Sequence, residues 1–280
     1  MDLSDSQLDA LCTLLEEVQP SDAEELDRQI ASMAPGDQER LFERLLQAEG
    51  RRVSLPPALE EFHRDRLERA FSDWVISTSG GPHLEEGIFL LASFGYPLED
   101  LGRSVAELDQ MAGELEYRLE GVGEPDGIVR HTAYYLHEEL GFRGDRENYY
   151  DPENCYLNRV IDQRKGMPIS LSAVYLLVGR RLDLPFRGVG MPGHFILKYE
   201  NPDAPIYLDP FDGGKIVSVQ ECGDIVRGMG YHFDFRFLKE TPDVRILERM
   251  LNNLIGIYHR EGDEEGSRRL VRYREIIQRG

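Results

Sequence analysis

The chain has 280 residues, 41% of them hydrophobic and 30% charged, enough for one large globular domain or two modest ones. It carries 32 Lys and Arg against 52 Asp and Glu, a net charge of −20, and a field of that sign repels phosphate backbones, which argues against a nucleic-acid partner. No apolar run approaches the length that crosses a bilayer, which argues against a membrane partner. The acidic start at Met1-Asp2-Leu3-Ser4-Asp5 lacks the basic-then-apolar order of a secretory leader, so a cytoplasmic protein is expected. Cys12, Cys155 and Cys222 are too widely spaced for a disulfide framework or a zinc pattern, and fit reduced thiols.

Residues 5–75 carry helical spacing, through Leu8, Leu11, Cys12 and Leu15, then Leu41, Leu45 and Leu46. A further run of Leu59, Phe62, Leu67, Phe71 and Trp74 follows the Pro56-Pro57 start. Ser77 to Pro82 reads as a break. Leu84, Ile88, Leu91 and Ala92 share one side of the next helix, and another is expected to begin near Ser104, with Glu107 completing a capping box. Gly121 to Gly127 reads as a loop, and His131 to Leu140 as a short helix ended by Gly141. Asp151-Pro152 opens a helix predicted to run to about Lys165, with Gly166 as its stop. Pro168 opens another, with Leu171, Val174, Tyr175, Val178 and Leu182 on its inner face.

After Pro185 the texture changes. Strands are predicted over 186–191, 194–199 and 206–209, with a candidate over 215–219, separated by Pro192-Gly193 and Asn201-Pro202-Asp203. Helices return at Asp243, with Ile246, Met250, Leu254, Ile257 and Tyr258 on one stripe and Leu270, Tyr273 and Ile277 on the next. This pair resembles a single tetratricopeptide unit, and a plain helical hairpin packed on the core fits the same pattern.

His194 opens one predicted strand and Asp209 closes the next, fifteen residues on. Adjacent antiparallel strands would bring the imidazole beside a carboxylate that fixes its tautomer, as in a nucleophile–His–Asp relay. Spacing alone equally allows Asp209-Pro210 to be a turn and His194 a strand-edge residue.

The order Arg164-Lys165-Gly166-Met167-Pro168, an apolar helix, Leu184-Pro185, His194 and Leu208-Asp209-Pro210 is similar to a transglutaminase-like core. In that resemblance Gly166 matches the glycine before the nucleophile, and His194 and Asp209 match the second and third catalytic residues. The nucleophile position falls on Pro168, which has no nucleophilic atom. A narrower likeness covers roughly 75 residues, through Gly141-Phe142-Arg143-Gly144, Tyr149-Tyr150-Asp151-Pro152-Glu153-Asn154-Cys155-Tyr156-Leu157, Gly166-Met167-Pro168-Ile169-Ser170-Leu171-Ser172, Gly188-Val189-Gly190-Met191-Pro192-Gly193-His194-Phe195 and Asp209-Pro210-Phe211-Asp212-Gly213-Gly214. These resemble the SirB family, bacterial proteins with a transglutaminase-like domain and a tetratricopeptide tail, often labelled regulators of sirC expression. That family usually carries proline at the position of Pro168 and serine at that of Cys155, and its tail is longer.

Two residues remain as replacement nucleophiles. Cys155 is expected in the first helical turn after Asp151-Pro152, where the helix dipole lowers a thiol pKa while Asp151 and Glu153 raise it. Ser170 lies two residues past the expected site. The plainer readings are a small buried cysteine and a hydroxyl that caps its helix. Arg159, Arg164 and Lys165 form a basic patch that, with Asn154, is expected to line the cleft between the Pro168 helix and the His194 strand and meet a partner; the cations also suit a helix C-terminus. The glycines at 188, 190, 213 and 214 read as turns. Asp209 and Asp212 lack the His or Cys neighbours a metal site requires, and His63, His83, His131, His137, His232 and His259 read as surface or core residues.

The expected fold is α+β: a helical region over 1–140, a transglutaminase-like (papain-like) core with a small antiparallel sheet over 141–240, and a helix pair over 241–280. Two functions follow. One is a non-catalytic regulatory module that binds another protein or peptide. The other is an acyl-transfer or amide-hydrolysing enzyme using Cys155 or Ser170 with His194 and Asp209. Neither calls for a metal or organic cofactor.

Overall fold

The computed structural model describes residues 3–17, 22–47, 55–76 and 83–279. The break expected at 77–82 lies outside them. Helices α1 (Asp5–Glu17), α2 (Ala23–Ala31), α3 (Pro35–Gln47) and the start of α4 (Pro57–Ile76) enclose a small core of their own, built on Leu8, Cys12, Ile30, Leu41 and Leu59. The second half of α4 leaves that cluster. Its Leu67, Phe71 and Trp74 join a main core that extends to Ile277 near the other end of the chain.

Helix α5 (Leu84–Gly95) is followed by α6 (Gly102–Arg118). Helix α6 begins two residues before the expected Ser104, because the Asp100 carboxylate takes the Gly102 N–H at 2.9 Å and Ser104 is buried inside the first turn. Helix α7 (Pro125–Tyr134) likewise starts earlier than His131, on a proline pre-set for a first turn, and is prolonged by a π-helical turn at Tyr135–Glu139. Gly141, at φ +78°, ends it.

The helix expected over 151–165 is two pieces. Asp151 accepts the Glu153 N–H and caps only a 3₁₀ turn, Pro152–Asn154. The Asn154 carbonyl then turns away to accept the Met167 N–H (3.1 Å) and the Ser170 hydroxyl (2.5 Å), so it cannot serve the next helical turn. Helix α8 (Leu157–Gln163) restarts after an extended Tyr156 and stops on Arg164, at φ 56°. Gly166 is not a helix stop: Arg143–Gly144 (β1) and Lys165–Gly166 (β2) pair in parallel.

Helix α9 (Pro168–Arg181) has no outer face over most of its length, for all twelve residues from Pro168 to Gly179 are buried. It lies on a four-stranded antiparallel sheet, β3 (Phe186–Met191), β4 (His194–Tyr199), β5 (Ile206–Asp209) and β6 (Lys215–Val217), in that spatial order. Strand alternation divides the side chains. Phe186, Phe195, Leu197 and Leu208 face the main core with α9, while Val189, Met191, Ile196, Tyr207 and Val217 meet Cys222 and Val226 of α10 (Val219–Gly228). Val219 begins that helix and does not extend β6, because Ser218 and Glu221 form a capping box.

Helices α11 (Asp243–Glu261) and α12 (Glu264–Arg279) close the fold as a hairpin turned at Gly262. Ile246, Met250 and Leu254 insert into the main core, and Tyr273 stacks on Phe71 of α4 at 4.9 Å. The architecture is the α+β arrangement predicted, with helices before the small antiparallel sheet and a helical hairpin after it. Leu254→Ala, which empties a fully buried site in that seam, lowers unfolding free energy by about 2–5 kcal/mol in urea titrations.

Candidate functional site

Register sets the centre. Leu197 pairs with Leu208, so His194 and Asp209 stand at the same end of the β4–β5 pair. His194 Nε2 donates to Asp209 Oδ2 at 2.7 Å. A carboxylate only accepts, so this contact fixes the tautomer and leaves Nδ1 as the ring nitrogen without a hydrogen bond among the described residues. The second Asp209 oxygen takes the Phe211 N–H at 3.0 Å. Both residues are nearly buried, with side chains 10% and 7% exposed. The Phe211 ring meets the imidazole edge-on at 6.3 Å and is itself held between Tyr149 and the Arg146 guanidinium.

Asp209 has two further buried polar neighbours. Burial, with Asp209 nearby, raises the Tyr175 phenol; burial lowers His137, which donates from Nδ1 to the Phe142 carbonyl at 2.6 Å. The Tyr175 hydroxyl and His137 Nε2 have no hydrogen-bond partner among the described residues. Gly214, at φ +68°, lies where a Cβ would fall 2.6 Å from that hydroxyl and 2.9 Å from the His137 ring. His137 is thus a core histidine packed behind Asp209.

One positioning residue carried no sequence signal. Arg249, on α11, donates from Nη2 to the Met191 carbonyl (2.7 Å) and the His194 carbonyl (2.6 Å). It clasps both sides of the Pro192-Gly193 turn, where Gly193 takes φ +72°. Burial lowers its pKa, and it forms no ion pair with a carboxylate among the described residues. In the sequence it follows Glu248 and has Arg245 and Asn253 one turn away on either side, so it reads as part of the polar face of its helix.

The expected nucleophiles are engaged elsewhere. Pro168 is the first residue of α9 and is buried. The Ser170 hydroxyl accepts the Met167 N–H (2.9 Å) and donates to the Asn154 carbonyl (2.5 Å), and it makes no hydrogen bond to His194. Cys155 sits between a 3₁₀ turn and the N-cap of α8, so it lies outside the helical first turn expected for it. It is 1% exposed, lies 3.1 Å from the Met167 thioether, and burial raises its pKa far from the thiolate range.

The basic patch is also committed. Arg159 reaches Asp162 (3.2 Å) and Glu153 (3.5 Å), Arg164 pairs with Glu107 while lying over Phe142, and Lys165 lies 3.9 Å from Asp145. Asn154 is buried and donates to the Asn148 carbonyl at 2.7 Å, so it braces the turn and does not line a surface. Among the described residues no cluster of His, Cys, Asp and Glu is arranged to hold a metal ion, and no helix is long and apolar enough to cross a membrane.

A family model for the transglutaminase-like superfamily matches residues 103–252, more than half of the chain, and includes His194, Asp209 and Arg249. The chain belongs to the transglutaminase-like superfamily. A UPF0162 protein of Xylella fastidiosa is 40% identical over 130 residues, covering 44% of this chain and 46% of that protein. A UPF0162 protein of Pseudomonas aeruginosa is 28% identical over 189 residues, 65% of this chain and 67% of that one. F-box only protein 21 of Homo sapiens is 33% identical over 140 residues, 47% of this chain and 22% of its own. The match thus spans less than half the length of the Xylella relative. No solved structure matches.

Two outcomes follow. Ser170→Ala removes a buried cap and strands the Asn154 carbonyl, lowering unfolding free energy by about 1–3 kcal/mol in urea titrations. His137 and His63 both have folded-state pKa values below the unfolded value, so the unfolded chain binds more protons as pH falls through about 6.5. Stability is therefore full above that range and lost below it. The urea midpoint drops between pH 7.5 and 5.5, and drops less in His137→Gln.

Proposed function

We propose that this protein is a non-catalytic transglutaminase-like module that acts in regulation by binding another protein or peptide at the cleft beside His194. The observation that carries this reading is the first turn of α9. Acyl transfer on this fold needs a sulfur or oxygen nucleophile there. Pro168 offers neither, the nearby Ser170 hydroxyl is saturated by backbone, and the Cys155 thiol is sealed against Met167. The motif resemblance to the SirB family, with its association with regulation, supports the same reading. So does the recurrence of the matched stretch as a small part of a much longer F-box protein, which is how a binding module is reused. Cytoplasmic residence belongs to this proposal.

A second reading rests on one observation, the intact His194–Asp209 contact. In it His194 is the general base, Asp209 orients it, and Cys155 or Ser170 attacks an acyl group once the local packing opens. The same contact also ties two strand ends together, so its presence does not require chemistry.

Native protein treated with iodoacetamide or a fluorophosphonate probe, then mapped by mass spectrometry, separates the two. The non-catalytic reading expects no adduct at Cys155 or Ser170 under native conditions, and the same result in His194→Ala. An adduct at either residue that forms near neutral pH and is lost in His194→Ala establishes the enzyme.

A further inference from the structure

A row of aromatic rings leads from His194 to the surface. Phe211 meets the imidazole edge-on, Tyr149 meets Phe211 the same way at 5.8 Å, and Tyr150 meets Tyr149 at 5.1 Å. Two guanidiniums lie on this row. Arg260 of α11 sits over the Tyr150 ring, 3.5 Å from its centroid, and Arg146 over the Phe211 ring at 5.1 Å. Tyr150 is 51% exposed, and both arginines are exposed.

Stacking on a ring occupies one face of a guanidinium and leaves its N–H donors, which lie in the plane, free for a carboxylate. Arg260 forms no ion pair among the described residues, in a chain with 52 acidic side chains. Arg146 pairs with Asp212 at 2.8 Å, but both side chains are more than half exposed, and such a pair is readily exchanged for another carboxylate. Asp145 and Asp151 are occupied with the backbone N–H groups of residues 147, 148 and 153, and Glu147 pairs with neither guanidinium. The buried Arg249, which also lacks a carboxylate, adds its charge beside Tyr149. The net charge of −20 repels acids at long range, yet at physiological ionic strength exposed charges are screened beyond about 8 Å. A ligand in contact with the row therefore meets the arginines.

We propose that the partner bound beside His194 presents an acidic segment, its carboxylates on the N–H forks of Arg260 and Arg146 and its chain passing over Tyr150 and Phe211. This rests on the reading of that cleft as a binding site and adds the chemistry of the occupant.

An array of random short peptides probed with the full chain tests the proposal. Retained peptides are expected to be enriched in Asp and Glu. Replacing those acids by Asn and Gln in the best peptide weakens its binding to the wild-type chain about tenfold, the loss of a charge-assisted hydrogen bond. Arg260→Gln and Arg146→Gln each weaken it by a similar factor and leave Tm unchanged, since both side chains are exposed. Arg103→Gln, at an exposed arginine of α6, changes the net charge equally and leaves binding unchanged. Retained peptides that are neutral or basic, or that keep their affinity after the amide replacements or in both arginine variants, overturn the inference while leaving a binding cleft. An array that retains no peptide overturns it as well. Should a variant fail to fold, the amide peptides decide the matter on the wild-type chain. Failure of the underlying reading shows separately, as a His194-dependent adduct in the labelling experiment.

Discussion

Helix α9 is buried all round over its first twelve residues, so its opening turn has no water to complete its hydrogen bonds. The chain meets that constraint locally. Proline at the first position removes one donor that would otherwise be orphaned. Ser170 turns its hydroxyl back to the Met167 N–H, and the Asn154 carbonyl reaches across from the preceding segment to receive Met167 and Ser170. The short parallel bridge between 143–144 and 165–166 holds the approach to that turn. The Ser170 hydroxyl, the Met167 N–H and the Asn154 carbonyl are thereby employed in closing a helix. A position that serves as a buried cap cannot also present a free oxygen to a substrate.

The His194–Asp209 contact belongs to a different part of the same problem. Asp209 ends β5, and its two oxygens hold the ring of the neighbouring strand and the first N–H of the turn that follows. Phe211, fixed by that turn, fills the space between His194, Tyr149 and Arg146. The pair therefore closes the sheet end.

Much of this was legible in the sequence, and the misses share a cause. Strands β3, β4 and β5 begin and end at the residues predicted, because alternation and the Pro192-Gly193 and Asn201-Pro202-Asp203 turns are local signals. The motif resemblance brought His194 and Asp209 together where spacing alone left a turn and a strand-edge residue open, and the β4–β5 register sets them at one sheet end. The 151–165 segment reads as one helix in the sequence because its break depends on a carbonyl claimed by residues 167 and 170, and periodicity carries no record of such a partner. The same holds for the basic patch. Arg164 and Lys165 read as free cations in the sequence, yet their carboxylates come from Glu107 and Asp145, 57 and 20 residues earlier. Cys155 reads as a helix-start thiol only if that helix is continuous.

The grip of Arg249 on the Met191 and His194 carbonyls has a consequence for the order in which the molecule is made. The hairpin bearing the imidazole is complete by residue 199, but the guanidinium that sets its turn arrives some fifty residues later. Tyr273, which stacks on α4, arrives later still. During synthesis the clasp on this turn therefore cannot form until α11 has left the ribosome. Contacts between distant parts of a chain are slow to form because the intervening loop must first be closed. The residues that look most like an active site thus report on whether the rest of the polypeptide has folded around them.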